Sequence, residues 1–193
     1  ILPWGQDECI MKVINYWGNQ KSGSNPNYLS GYGPRGLTID NDGFLWVGIW
    51  DTSTYFKIDS QGNFISNFST EKNPKNTSGS YGMVAGKNNI VWSNEPYKGL
   101  VEINTLNNNY VRYNSSLFGC SPNDDCFYVI AVDAQGNVLM TNWVSGLLQK
   151  FDINTHLPSY FPVTSGAGAR RTLRGLTVDK HGNAWTTTWT TGI

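Results

Sequence analysis

The stretch RGLTIDNDGFLWVGIWDTSTYFKID, residues 35–59, decides the fold of this chain. Apolar residues alternate with small or polar ones in residues 37–39 and again in residues 45–47, which is the two-residue period of half-buried strands. Between the two runs lies Asn-Asp-Gly at 41–43, where Asn and Asp tolerate turn geometry and Gly adopts positive φ without steric cost. The pattern therefore predicts a tight hairpin.

Two further strand-like runs follow the hairpin, at residues 56–59 and 63–68. Ser-Gln-Gly at residues 60–62 supplies the turn between them. Four consecutive strands joined by short turns form one antiparallel meander.

The same unit recurs along the whole chain. Its first strand begins near residues 35, 81, 128 and 174, so the repeat is 46 or 47 residues long. Such a period with four strands per unit is typical of a β-propeller, in which each sheet buries its faces against its neighbours. We therefore predict an all-β fold: about four blades' worth of four-stranded antiparallel sheets, in a single domain over residues 1–193.

The two ends of the sequence fall at complementary places in the repeat. Residues 9–13 occupy a third-strand position, and Ile193 lies where the third strand of the last unit begins. Two arrangements fit this pattern. In one, residues 1–22 complete the last blade and close a four-bladed ring, which satisfies the open sheet edges. In the other, the chain is a piece of a larger propeller.

The charge of the chain is sparse and balanced. It contains 14 Lys and Arg residues and 14 Asp and Glu residues, and only 15% of residues are charged. A nucleic-acid surface needs a strongly positive field, so we predict no nucleic-acid partner. No apolar run approaches the roughly 20 residues of a membrane span, so we also predict no membrane span.

Three cysteines bear on the redox context. Cys120 and Cys126 bracket a short polar loop, which fits either a disulfide or two loop thiols. Cys9 reads as a small buried residue of a strand. No further Cys or His pair lies at zinc-ligand spacing, so we predict no metal and no cofactor. The sparse charge and the abundant Trp and Tyr residues favour an extracellular or periplasmic protein.

The segments 33–48 and 174–185 resemble the repeat of virginiamycin B lyase-like propellers. They are also similar to NHL repeats and to the sensor propellers of bacterial hybrid regulators. The lyase resemblance implies a metal-assisted elimination that uses a catalytic His and a nearby His/Glu pair. The histidines of this chain are His156 and His181, and neither has a Glu two residues away, so no catalytic residue is assigned.

The repeat predicts a second kind of site. In each unit the first strand leaves one face of the propeller and the second strand returns to it, so these strand ends share the face at the mouth of the central channel. Aromatic rings interleaved with Arg, Asn and Glu suit a sugar, a peptide or a small anion. The candidate ligand-binding residues are Arg35, Trp50, Tyr81, Glu95, Tyr128, Trp143, Arg174 and Trp189.

Several of these residues also have a structural interpretation. The tryptophans 50, 143 and 189 serve either ligand binding or packing, and the two arginines either bind a ligand or pair with loop carboxylates or carbonyls. Glu95 is the one acid placed to be tested as a general base. A different set, Trp46, Trp92 and Trp185, occurs at one repeat position and is predicted to pack between blades.

The aspartates of the hairpin turns have two interpretations as well. They fit calcium ligands or turn residues, and the turn role is favoured because a calcium site needs more oxygen ligands than a tight hairpin offers. These residues are Asp40, Asp42, Asp133 and Asp179.

The sequence thus predicts an extracellular propeller module that binds a ligand or partner at the mouth face without catalysis. Two alternatives stay open: a lyase-like enzyme, and a structural segment of a larger secreted or surface protein whose other domains are its partners.

Overall fold

The computed structural model of the chain describes residues 33–71, 79–121, 124–143, 145–163 and 172–189. These residues form four blades in chain order. Blade 1 consists of β1 (Pro34–Ile39), β2 (Leu45–Ile49), β3 (Thr54–Ile58) and β4 (Phe64–Ser69). Blade 2 consists of β5 (Gly82–Ala85), β6 (Ile90–Glu95), β7 (Gly99–Asn104) and β8 (Tyr110–Asn114).

A 3-10 turn, Ser115–Phe118, leads into blade 3, which consists of β9 (Phe127–Val132), β10 (Val138–Asn142), β11 (Leu147–Phe151) and β12 (Pro158–Pro162). The described part of blade 4 is the pair β13 (Thr172–Val178) and β14 (Ala184–Trp189). Every neighbouring pair of strands within a blade is antiparallel. The all-β propeller fold predicted from the repeat is confirmed.

Residues 1–22, which were predicted in one arrangement to close a four-bladed ring, lie outside the described residues. Ring closure therefore stays a prediction. Within the described ranges, no helix is long and apolar enough to cross a membrane.

The first hairpin turn is built on one buried carboxylate. Asp40 Oδ1 accepts hydrogen bonds from the backbone N–H groups of Asp42 and Phe44 at 3.0 and 2.9 Å, and Oδ2 accepts one from Trp46 Nε1 at 2.8 Å. Gly43 completes the turn at φ 84°, a conformation that L side chains rarely adopt. Both carboxylate oxygens are thus used within the hairpin, which is the turn role that the sequence favours.

Successive blades meet through a contact that recurs with the repeat, which we call the blade joint. An apolar residue of one second strand shares a cluster with an apolar residue of the next first strand. The pairs are Trp46 with Met83, Trp92 with Ile130, and Leu139 with Leu176. The predicted packing role of Trp46 and Trp92 agrees with this burial.

Trp185 departs from the prediction that it packs between blades. Its side chain is 61% exposed, because it lies on the side of blade 4 that no described blade covers. Its indole N–H still donates to Asp179 Oδ2 at 2.9 Å, as the equivalent Trp46 donates to Asp40. The local hairpin therefore repeats even where the joint does not.

Cys120 and Cys126 form a disulfide, with Cα atoms 6.3 Å apart. Both are buried in one cluster with Phe118 and Phe127. The Cys126 carbonyl accepts a hydrogen bond from the backbone N–H of Trp143 at 3.1 Å. The disulfide thereby fixes the loop before β9 against the end of β10.

Candidate functional site

The inner strands bring the predicted mouth residues to one place. β1 packs beside β5, β5 beside β9, and β9 beside β13, so residues at equivalent positions near the starts of these strands become neighbours. Because the second strand of each blade runs antiparallel to the first, Trp50 and Trp143, which directly follow β2 and β10, return to the same end.

On one side of the cluster, an arginine stacks between two rings of neighbouring blades. The Cζ atom of Arg35 lies 4.8 Å from the ring centroid of Trp50 and 5.0 Å from that of Tyr81. The two rings meet edge to face with centroids 5.4 Å apart. This is the distance range of a cation–π contact, so the guanidinium contacts two aromatic partners.

A second arginine also lies over two aromatic rings, on the other side of the cluster. The Cζ atom of Arg174 lies 5.1 Å from the ring centroid of Tyr128 and 4.2 Å from that of Trp143, and these rings are 4.9 Å apart. Arg174 Nη1 also donates a 3.0 Å hydrogen bond to Tyr128 Oη. Tyr81 and Tyr128 join the two halves, with centroids 4.6 Å apart.

The result is a continuous series of six side chains, which we call the arginine–aromatic row. Its members are Trp50, Arg35, Tyr81, Tyr128, Arg174 and Trp143. The sequence predicted these six as neighbours from the repeat alone. The six residues come from four blades, so the row exists only once these blades are assembled.

The charge of the row comes from its two arginine side chains. Burial raises the pKa of Tyr81 to about 12, and its hydrogen bond with Tyr128 acts in the same direction, whereas the guanidinium groups of Arg35 and Arg174 oppose the shift. Tyr81 is therefore a neutral phenol near pH 7. The row thus presents two fixed positive charges between neutral rings.

Arg35 is the exposed cation of the row. In the described part of the chain, no carboxylate or carbonyl oxygen accepts a hydrogen bond from it; it lies over the two rings and within electrostatic range of Asp125. A guanidinium presents a planar fork of donors that matches carboxylate or phosphate oxygens. The two ring contacts leave the donors of this fork available to another partner.

Two residues beside Arg35 are absent from the prediction. Burial raises the pKa of Asp125, while the charge of Arg35 acts to lower it, and no described residue donates a hydrogen bond to one buried oxygen of Asp125. The Tyr97 ring lies 6.4 Å from that of Trp50, and its pKa is raised by burial and by Asp125. In the repeat, Tyr97 lies one position after the equivalent of Trp50. The repeat spacing could therefore have identified it. Asp125 lies in an irregular loop and has no repeat signal.

Glu95 does not join the row, which corrects its prediction as a mouth residue. It is 0% exposed and lies between blades 1 and 2. Its carboxylate accepts hydrogen bonds from Tyr55 Oη at 3.0 Å and Thr70 Oγ1 at 2.8 Å, and pairs with Arg112 at 2.8 Å. Burial raises its pKa, while Arg112 and the two hydroxyls act in the opposite direction. Without solvent access, this acid does not serve as the general base for which the sequence suggested a test.

Trp189 is the remaining predicted mouth residue, and His156 and His181 are the two histidines of the sequence. Trp189 is the last residue of β14, and its side chain lies outside the described part of the structure. His156 packs against Tyr113 and Phe151, with ring centroids 5.3 and 6.0 Å away, while His181 sits in the last hairpin turn. Among the described residues, no group of three His, Cys, Asp or Glu residues is placed to hold a metal ion.

Known structures share this fold. The chain is similar to a streptogramin B lyase, with a TM-score of 0.68 and 18% identity, over 85% of this chain and 50% of that one. It is similar to a catalytically inactive virginiamycin B lyase from Staphylococcus aureus, with a TM-score of 0.63 and 17% identity, over 82% and 50% of the two chains.

A third similar structure is the extracellular domain of a hybrid two-component system protein from B. thetaiotaomicron. Its TM-score is 0.62 and its identity 14%, over 85% of this chain and 21% of that one. No family model and no curated protein matches the sequence. At these identities the likeness shows the propeller fold, and the chain spans about half the length of the lyases it resembles.

Proposed function

We propose that this chain is an extracellular propeller module that binds a ligand at the arginine–aromatic row without catalysis. The ligand class that fits is a sugar, peptide or small molecule with an anionic group next to a ring. One observation carries this proposal: Arg35 is exposed, held by Trp50 and Tyr81, and without an acceptor among the described residues.

The anionic group would meet the guanidinium of Arg35. Immobilising a flexible arginine on a ligand normally costs side-chain entropy, on the order of 1 kcal/mol. The contacts with the two rings already restrict the Arg35 side chain before any ligand arrives, so part of this cost falls on folding instead. A carboxylate or phosphate that accepts two parallel hydrogen bonds gains the geometry of a bidentate pair.

A ring of the ligand would lie beside the aromatic members of the row. Trp and Tyr faces stack on planar groups and on the apolar faces of sugars. Asp125 adds a polar requirement, since its buried oxygen lacks a donor. A ligand hydroxyl or ammonium group near Arg35 would supply that donor, which favours an acidic sugar or a peptide over a plain inorganic anion.

Two observations support an extracellular setting. Disulfides persist in oxidising compartments, and Cys120 and Cys126 are joined. The similar structures include extracellular domains of bacterial sensor proteins. The proposed ligand therefore reaches the row from outside the cytoplasm.

The structural alternative has its own support. Arg174 already donates to Tyr128 while stacking on Trp143, as a scaffold residue would. If the row is only a scaffold, removing one of its arginines changes stability and nothing else. The experiment must therefore separate binding from folding.

The test is a titration followed by intrinsic Trp fluorescence, with uronic-acid oligosaccharides, neutral oligosaccharides of the same length, an acidic peptide pool and inorganic phosphate as probes. We expect saturation with an acidic probe, and loss of at least about tenfold in affinity in Arg35→Gln, the scale of one charge-assisted hydrogen bond. Lys180→Gln is the matched control, because it removes an exposed charge from a hairpin turn outside the row. A folded protein that responds to none of the probes, or equally in both variants, contradicts the proposal.

A further inference from the structure

The backbone next to Asp125 is tied to the ends of two second strands. The N–H group of Cys126 donates a 3.0 Å hydrogen bond to the carbonyl of Pro96, and the carbonyl of Cys126 accepts one from the N–H group of Trp143 at 3.1 Å. Pro96 directly follows β6, and Trp143 directly follows β10. Asp125, one residue before Cys126, is therefore anchored between the segments that carry Tyr97 and Trp143.

This anchoring places the Asp125 carboxyl group beside the Arg35 end of the row. The ring of Tyr97 lies 6.4 Å from that of Trp50, and Arg35 lies over the same Trp50 ring at 4.8 Å. Asp125 is within electrostatic range of both Tyr97 and Arg35. Among the described residues, no ion pair joins Arg35 to Asp125. A guanidinium group and a carboxyl group thus lie near each other without pairing directly.

The Asp125 carboxyl group has an unmet need for a donor. No described residue donates a hydrogen bond to one of its oxygens, which is buried. Such an atom costs free energy until a partner is supplied. Burial also raises the pKa of Asp125 above its usual value of 3.8, because desolvation disfavours the charged form. An ammonium group offsets this cost better than a neutral donor, since it brings both a hydrogen bond and the opposite charge.

We infer that Asp125 determines specificity at the row by selecting a zwitterion, a free aromatic amino acid whose ammonium group binds Asp125 while its carboxylate binds Arg35. This inference rests on the proposed function and narrows its ligand class. In an α-amino acid both charged groups are attached to one carbon, which suits two protein groups that lie near each other. The half-buried rings of Trp50 and Tyr81 leave surface on which the ring of the ligand can stack. A purely anionic ligand gains from Arg35 but is repelled by Asp125.

The first measurement is isothermal titration calorimetry of the whole chain with phenylalanine and two of its analogues. Phenylpropionate lacks the ammonium group, and phenethylamine lacks the carboxylate. Tyrosine and tryptophan are titrated beside their own analogues of the same two kinds. We expect at least one amino acid to bind at least about tenfold more tightly than either of its analogues, the scale of one charge-assisted hydrogen bond.

Three variants then test the role of Asp125. Asp125→Asn keeps the size of the side chain and removes its charge, so it should weaken binding of the amino acid about tenfold while phenylpropionate and its counterparts bind equally well or more tightly. Arg35→Gln should weaken binding of both the amino acid and the analogue that retains the carboxylate. Asp42→Asn is the matched control, because it removes an exposed carboxylate from a hairpin turn outside the row, and it should change neither affinity.

The outcomes separate this inference from the proposed function. If an analogue that lacks the ammonium group, or an acidic oligosaccharide, binds through Arg35 and no amino acid binds more tightly, the row is a binding site and the selection by Asp125 is wrong. If Asp125→Asn weakens every probe equally, Asp125 is a structural residue and the inference is wrong as well. A folded chain that binds none of the probes overturns both proposals. The comparison of analogues on the unchanged chain decides the matter even where Asp125→Asn does not fold.

Discussion

Removing the Arg112 side chain charge should destabilise the protein far more than removing that of Arg35. Arg112 pairs at 2.8 Å with Glu95, whose side chain has no exposed surface, and at 2.9 Å with Glu71. Arg112→Gln leaves the Glu95 carboxylate buried without a cation. Breaking a buried ion pair costs about 3–5 kcal/mol, and the lower end applies because Arg112 is one-fifth exposed and Tyr55 and Thr70 still donate to the carboxylate.

Arg35 provides the matched comparison. It is exposed and stacks on Trp50 and Tyr81, so Arg35→Gln loses cation–π contacts worth about 0.5–1 kcal/mol each at an exposed site. For a chain of this length, 1 kcal/mol corresponds to about 2–4 °C in Tm. We expect the free energy of unfolding from urea titration to fall by about 3 kcal/mol in Arg112→Gln and by about 1–2 kcal/mol in Arg35→Gln.

The loss of stability in Arg112→Gln should depend on pH. Burial holds the pKa of Glu95 above its usual value of 4.5 in the folded state, despite Arg112. A group with a raised folded pKa contributes its full stability below the unfolded pKa and loses it as pH rises through the folded pKa. Without Arg112 the folded pKa rises further, so the deficit of Arg112→Gln should be small near pH 4.5 and grow as pH increases.

A double variant tests whether the buried charge causes the loss of stability. Glu95→Gln keeps an oxygen that accepts from Tyr55 and Thr70 while removing the buried charge, so Glu95→Gln/Arg112→Gln should recover a large part of the loss caused by Arg112→Gln alone. If Arg112→Gln costs no more than Arg35→Gln, or if its deficit is the same at pH 4.5 and pH 8, the assignment of Glu95 as a buried ion-paired acid is wrong.

Three further outcomes follow from the same contacts. Trp143→Ala and Arg174→Ala should abolish binding of the acidic probe while shifting Tm by no more than a few degrees; a Tm loss comparable to that of Arg112→Gln would show that both residues are packing elements. Reduction of the disulfide, or Cys126→Ser, should lower the free energy of unfolding by about 2 kcal/mol for so short a loop, measured by urea titration with and without reductant. Trp185→Phe removes the indole donor to Asp179, so the pKa of Asp179, held at about 2 chiefly by that hydrogen bond and by Asn183, should rise toward 3.8 in an NMR titration; an unchanged pKa would contradict the bond.

Much of the site was predictable because the repeat converts sequence position into spatial position. Arg35, Tyr81, Tyr128 and Arg174 recur at one position near the start of each first strand, and inner strands lie side by side in a propeller. Nothing more than the period was needed to expect them together. The same logic identifies Trp46 and Trp92 as joint residues.

Glu95 shows where the repeat stops being informative. It ends a second strand, as the mouth residues do, but its side chain turns toward blade 1 and meets Tyr55, 40 residues earlier in the chain. Which side of the sheet a strand end presents depends on register and on the partners that can satisfy a carboxylate there. A period of 46 or 47 residues carries no information about either.

The sequence by itself determined the all-β meander, the blade boundaries, the turn role of Asp40 and the proximity of the arginine–aromatic row, because these depend on strand period and turn chemistry that are local to each unit. The tertiary structure alone decided the burial of Glu95, the position of Asp125 near Arg35 and the exposure of Trp185. Each of these depends on what a neighbouring blade or loop brings to the residue, and such contacts form only between parts of the chain that are distant in sequence.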